Sequence, residues 1–449
     1  MISKTIVFVY LPGEVKAVPA GTLILNQVGN EISSQFIYGS RYTQRHNAIE
    51  LDPVSLQFKT IVRKPEEEIV PGNNLHLFGA FRDATPDSWG RRVIEKQFHA
   101  AYLPEIEYIK HSFDDRVGAL DFRDTPTSDE KKFQFHRVLS LPYLLDCADK
   151  IENDEPVPDD VLQMFNFGSS MGGARSKAVV EDESGLWLAK FKAKNDRFNY
   201  AKVENATLRM ALECGIDVPE TKIERAAEVD IFMIKRFDRE KIDTGYTRKH
   251  FISALTLLGK DETESLGTAY SEIAEAISKR ANYKNNSEMK VELFRRMVFN
   301  ILVSNTDDHL RNHGFIFENG GYFLSKAYDI VPTPLSSTER FQHLSVGLHG
   351  RLSTLGNAIS AAGVFGLTYN EARAMIKRMV KIVENWKDFY TKNGVTSQDI
   401  RILENAFRKL EYLDFVQTDT RLYWKPSFDF CKINKLAKSK NRFPIKSTE

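Results

Sequence analysis

The run NTDDHLRNHG, residues 305–314, holds the densest set of side chains capable of chemistry. Asp307 offers a carboxylate that can accept a hydroxyl proton, and Asn312, five residues on, offers an amide oxygen for a hard cation. The same spacing joins the proton-accepting aspartate and the magnesium-holding asparagine of phosphoryl-transfer loops. Asp307 and Asp308 also fit the plainer roles of capping or turn formation, and His309 fits a structural histidine. His309 is a weak metal-ligand candidate, and zinc is set aside. Beyond Asn312 come GFIF, Asn319-Gly320 and YFLS, a hairpin that returns the chain to Asp329 in KAYDIVPTP. Asn312 and Asp329 together suit magnesium, which takes few protein ligands and keeps its waters.

Two upstream features extend this chemistry. GSSMGGARSK, residues 168–177, places small residues at the entry to a hairpin, where unobstructed N–H groups could approach phosphate oxygens. It matches neither the Walker A pattern nor G-x-G-x-x-G. In LWLAKF, strand alternation sends Leu186, Leu188 and Lys190 to one face, so a cation emerges from an apolar surface. Glu204, on the helix that follows, is its natural partner, against the bland alternative of a snorkelling lysine and a solvated glutamate. The order is Gly-rich hairpin, lysine, helix glutamate, strand, helices, Asp-x4-Asn loop, hairpin and aspartate. It predicts ATP held between a sheet lobe and a helical lobe. Missing His-Arg-Asp and Asp-Phe-Gly triplets argue against the ordinary eukaryotic protein-kinase branch.

The elements that must position these residues follow from patterning. β-branched and aromatic runs broken by Pro12-Gly13 and Pro19-Ala20-Gly21 make the first 120 residues strand-rich. Pro86-Asp87-Ser88 then caps a helix with Trp89, Val93, Ile94 and Phe98 on one face. Glu204 to Cys214 reads as a helix ended by Gly215, and DIFMIKRF as a returning strand. Past residue 250 helices dominate. One buries Leu293, Phe294, Met297, Val298, Ile301 and Leu302, and another opens on a Thr368/Glu371 capping box. The expected fold is α+β and two-lobed, protein-kinase-like, with a small N-terminal mixed α/β domain and a largely helical C-terminal lobe. The expected divisions are an N-terminal domain over 1–122, a connection over 123–164, a small lobe over 165–239, a helical lobe over 240–430 and a basic tail over 431–449.

Composition narrows the function classes. The 449 residues carry 62 basic against 61 acidic side chains, a net charge of +1, which provides no global field for nucleic acid. No apolar run approaches the roughly 20 residues of a membrane span. Cys147, Cys214 and Cys431 are too far apart for a disulfide framework or thiolate site, and a reducing cytoplasm fits.

The chain resembles the HipA family of serine/threonine kinases, the toxin half of bacterial persistence modules. The matching stretches are TPDSWGRRVIEK, DDRVGAL, SSMGGARSKA, LAKF, VENATLRMALECGIDVP, IKRFDR, NTDDHLRNHGF and AYDIVPTP. The resemblance implies that Asp307 is catalytic, that Asn312 and Asp329 hold magnesium, and that Lys190, paired with Glu204, contacts ATP phosphates. It makes Met171, Gly172, Gly173 and Ala174 the phosphate loop, sets Lys235, Arg236 and Phe237 beside the adenine, and puts Asp238 near the ribose. Ser170, with Ser169 adjacent, is the implied autophosphorylation site. A helix-turn-helix, HipB-like antitoxin is the implied partner, with DNA reached only through it. The implied substrate is a cytoplasmic protein such as a translation factor or aminoacyl-tRNA synthetase. Two other readings stay open: a nucleotide-binding pseudokinase regulator and a small-molecule phosphotransferase.

Overall fold

The computed structural model describes residues 1–58, 67–111, 116–128, 136–137, 141–158, 162, 165, 175–280 and 285–407. In the N-terminal portion, the β-branched run Ile2–Tyr10 (β1) pairs antiparallel with Ala17–Val28 (β2), which pairs with Glu31–Tyr38 (β3). Val7, Val9, Leu23, Leu25 and Phe36 are buried, as alternation on a half-covered sheet requires. Short helices follow, among them Gly79–Asp83 (α1), Ser88–Gln97 (α2) and Glu105–His111 (α3), before Leu120–Arg123 (β4) closes the order β3-β2-β1-β4. Asp87 caps α2 by accepting from the Gly90 N–H at 3.0 Å, and Trp89, Val93 and Ile94 are buried as expected. Phe98 differs. The helix ends at Gln97, and Phe98 is turned outward against His111.

A second sheet has the order β5-β6-β7-β9-β8, from His136–Arg137 (β5), Lys177–Asp182 (β6), Gly185–Lys190 (β7), Thr221–Ala226 (β8) and Val229–Lys235 (β9). Leu141–Glu152 (α4) lies on one face. Its Leu144, Leu145, Ala148 and Ile151 join Trp89, Val93, Val180, Trp187, Ala189 and Met233 in one core. Part of the stretch read as a connection is therefore built into this sheet, and α2 belongs to its core as much as to the N-terminal one. Tyr200–Glu213 (α5) packs on β8 and β9, starting at an Asn199 cap and ending at Gly215 with φ +81°.

After the ribbon Arg239–Ile242 (β10) and Gly245–Arg248 (β11), the chain becomes mainly helical. Phe251–Ser253 (β12) leads into Ala254–Leu258 (α6), Tyr270–Arg280 (α7) and Asn286–Val303 (α8). The six apolar residues expected inside α8 are all buried. Gly314–Glu318 (β13) and Gly321–Leu324 (β14) complete the sheet β12-β13-β14. Their turn has Asn319 at φ +48° and Gly320 at φ +79°, the left-handed pair that a two-residue hairpin demands. Further helices include Tyr369–Val383 (α9), which opens on the Thr368/Glu371 capping box. Among the described residues, no helix is long and apolar enough to cross a membrane.

Candidate active site

Strand β7 carries Leu188 and Lys190 to the face opposite the Trp187/Ala189 core, where they border a cavity. The Lys190 ammonium donates to Glu204 Oε1 at 2.7 Å and to Asp329 Oδ1 at 3.0 Å. The Asn199 cap fixes the start of α5 and so sets Glu204 on its buried side, and the β13–β14 hairpin delivers Asp329. Burial alone would disfavour the ammonium, but Asp329 and Glu204 outweigh it and hold Lys190 protonated well above its ordinary range. The same lysine draws the Asp329 carboxyl below its ordinary value. Asp329 sits at φ +58°, a conformation costly for a non-glycine residue and typical of functional positions.

Helix α8 closes on Ser304 at φ +54°, and the next residues form the loop. Its two adjacent acids part company. Asp307 is exposed, and among the described residues no hydrogen bond engages its carboxylate; its main-chain oxygen accepts from His309 N at 3.0 Å and Asn312 Nδ2 at 3.1 Å. Asp308 is buried and accepts from the Tyr270 hydroxyl and from His313 Nε2, the latter at 3.0 Å. Burial works against the Asp308 carboxylate, but His313 and Tyr270 outweigh it and draw the pKa down. Burial, with Asp308 next, pushes the Tyr270 phenol well up. Asp308 thus anchors the loop from below while Asp307 faces out. Since Asn312 spends its amide N–H on the loop, its oxygen is the atom left for a cation, and Asn312 lines the same cavity as Lys190 and Asp329.

The remaining cavity wall is apolar, from Val117, Ile234, Phe237, Phe251 and Tyr328, with Phe237 stacked on Tyr328 at 5.9 Å. Lys235, Arg236 and Asp238 also border it, but their charged groups are engaged. Lys235 reaches Glu220 at 3.1 Å. The buried Asp238 carboxylate accepts from Arg236, Arg239 and the Gly118 N–H at 2.7–2.9 Å. Burial opposes ionisation there, yet the two guanidiniums hold the Asp238 carboxyl far below its ordinary range. Ser169, Ser170, Met171, Gly172, Gly173 and Ala174 lie outside the described residues.

Other cleft residues had no assigned part in the sequence reading. Asp83 of α1 lines the cavity, and Lys177, directly after the Gly-rich run, is buried against Asp87. The donor set fits magnesium with a nucleotide: one surplus carboxylate beside an amide oxygen, facing an apolar slot. Among the described residues, no three His, Cys, Asp or Glu side chains form a metal cage by themselves, and magnesium bound through phosphates requires none.

A sheet-borne lysine, a helix glutamate and a hairpin-delivered aspartate around an apolar slot define a kinase-like fold. Residues 169–386 match the family model of the HipA-like C-terminal domain. It is 29% identical over 233 residues to a Haemophilus influenzae protein named "Putative kinase", covering 45% of this chain and 64% of that one. It is 26% identical over 142 residues to the "Serine/threonine-protein kinase toxin HipA" of Shewanella oneidensis, covering 28% and 33%. The chain thus spans less than two thirds of the length of these two relatives. The structure of the Shewanella oneidensis MR-1 toxin–antitoxin complex of HipA, HipB and operator DNA superposes with a TM-score of 0.64. That match has 14% identity and covers 88% of this chain and 94% of that one, and it shows a shared fold.

Proposed function

We propose that the protein is an ATP- and magnesium-dependent serine/threonine protein kinase acting as the toxin of a HipA-type toxin–antitoxin system. The observation that carries this reading is the convergence of Lys190, Glu204 and Asp329 from three separate elements. Glu204 holds the lysine extended toward the cavity, so that its ammonium is oriented before phosphates arrive. Asn312 and Asp329 would hold magnesium, which when bound neutralises phosphate charge. The exposed Asp307 carboxylate takes the proton of a substrate serine or threonine hydroxyl at its own oxygen. Phe237 and Tyr328 cover the base from the apolar side and exclude water. In this reading Asp238 acts through Arg236 and Arg239, shaping the wall rather than touching the ribose. Met171 to Ala174 form the phosphate loop, and phosphate added at Ser170 would set negative charge where nucleotide phosphates must lie.

The partners follow from the relatives. A HipB-like helix-turn-helix antitoxin would bring DNA to this chain, and a cytoplasmic protein, a translation factor or aminoacyl-tRNA synthetase, would be its substrate. The five-part division given by the sequence is retained, with α4 assigned to the small lobe. Transfer of labelled phosphate from ATP with magnesium tests the reading. Wild type labels itself or a lysate protein, and Asp307→Asn lowers transfer by at least about 10²-fold while still binding ATP. Binding without transfer by wild type would turn the reading toward a nucleotide-sensing regulator.

A further inference from the structure

The N-terminal portion reaches into the cleft at three places. Asp83 accepts from Ser253 N at 2.6 Å and Ser253 Oγ at 2.8 Å, and stands 3.9 Å from an Arg311 guanidinium nitrogen. Asp87 pairs with the buried Lys177, just past the Gly-rich run. Gly118, at φ +81° and placed so that a Cβ would come within 3.0 Å of Phe251, gives its N–H to Asp238 at 2.8 Å. Gly118 leaves no room for a side chain, so this crossing is close-fitted rather than incidental.

The Asp83 contact bears most directly on the chemistry. Arg311 lies inside the Asp-x4-Asn loop, next to Asn312. Its guanidinium is held on the outer side by Glu262, with Nε at 2.7 Å, and faces the Asp83 carboxylate on the inner side at 3.9 Å, a charge contact without a hydrogen bond. Arg82, beside Asp83, in turn braces Asp261 and Glu262 at 3.6 and 3.5 Å and donates to Lys260 O at 2.8 Å. The Arg311 carbonyl accepts from the Tyr328 hydroxyl at 2.7 Å, and Tyr328 precedes Asp329. One residue therefore joins the segment bearing Asn312 to the segment bearing Asp329, and its guanidinium is set from the N-terminal side. Asp83 is 2% exposed, within a charged network that it and Arg82 join from the N-terminal side.

We propose that Asp83 is a positioning residue of the transfer site: through Arg311 it fixes the spacing of Asn312 and Asp329, and with it the affinity for magnesium. The N-terminal portion is then part of the active site. This rests on the kinase reading for the identity of the cation, and the test separates the two. Outer partners of metal ligands change metal affinity about 10–100-fold when removed.

The experiment is titration of the full chain with ATP by calorimetry, with and without magnesium, alongside phosphate transfer. Asp83→Asn is expected to raise the half-saturating magnesium concentration about tenfold and to leave magnesium-free ATP binding within twofold of wild type. Arg311→Gln should do the same, and the double variant should be no worse than the worse single one. Losses that multiply in the double variant, or equal losses with and without magnesium, overturn the proposal. Should Asp83→Asn fail to fold, Arg311→Gln alone decides: an unchanged magnesium requirement refutes the link. If wild type transfers no phosphate, the kinase reading fails, yet the magnesium titration still reports on Asp83.

Discussion

Two charge clusters border the same slot and are built to opposite rules. At one, a single ammonium, Lys190, faces two carboxylates, Glu204 and Asp329. At the other, two guanidiniums, Arg236 and Arg239, close on one carboxylate, Asp238, which also takes a backbone N–H. The second cluster is saturated: each Asp238 oxygen has its donors, and the arginines spend further N–H groups on the carbonyls of Arg116 and Gly118. The first has a carboxylate to spare and an amide oxygen nearby. A buried ion set that is complete serves architecture, whereas one left with surplus charge is ready for a partner the chain does not supply.

Asp329→Asn separates the two most sharply. It should lower transfer by at least about 10²-fold while costing little stability, because the Asp329 side chain is partly exposed and Lys190 keeps Glu204 as its buried partner. Transfer assays with urea unfolding would show it, and a large loss of stability would erase the distinction. Asp238→Asn should invert the pattern, costing about 3–5 kcal/mol of folding free energy by stranding two buried guanidiniums, with transfer per folded molecule largely retained. A transfer loss matching that of Asp329→Asn would instead return Asp238 to direct ligand contact.

His250 gives a third case, a buried base with no carboxylate to pair with. Its Nε2 meets Leu51 O at 2.9 Å, and burial depresses its pKa to about 4. The folded chain resists a proton that the unfolded chain accepts near its usual 6.5. This stability is therefore full above about pH 6.5 and is lost as pH falls toward 4, by about 3 kcal/mol at 1.36 kcal/mol per unit. His250→Gln should flatten unfolding curves over that window. Far from both clusters, Thr368→Ala should cost only about 1 kcal/mol through the lost cap and leave transfer unaltered.

What the sequence made readable was local. Alternation put Lys190 on the correct face of β7, helix spacing set Glu204 on the next element, and Asn319-Gly320 announced the hairpin that returns Asp329. What it hid was contact between distant segments. Asp87 read only as a cap, because nothing in its neighbourhood names Lys177, 90 residues on. Asp83 and Ser253 lie 170 residues apart. Asp307 and Asp308 looked alike as adjacent acids, since the buried phenol and imidazole that claim Asp308 enter from elsewhere. Asp238 shows a local signal left unread: the run KRFDR sets an arginine on each side of the acid, and both engage its carboxylate.

The contrast between the two neighbouring acids has a further consequence. Asp308 is tied into Tyr270 and His313, while among the described residues no hydrogen bond engages the Asp307 carboxylate. If Asp307 is the proposed proton acceptor, its loss would leave a full-length, well-packed protein, so transfer and folding would be separable by a change at this one position.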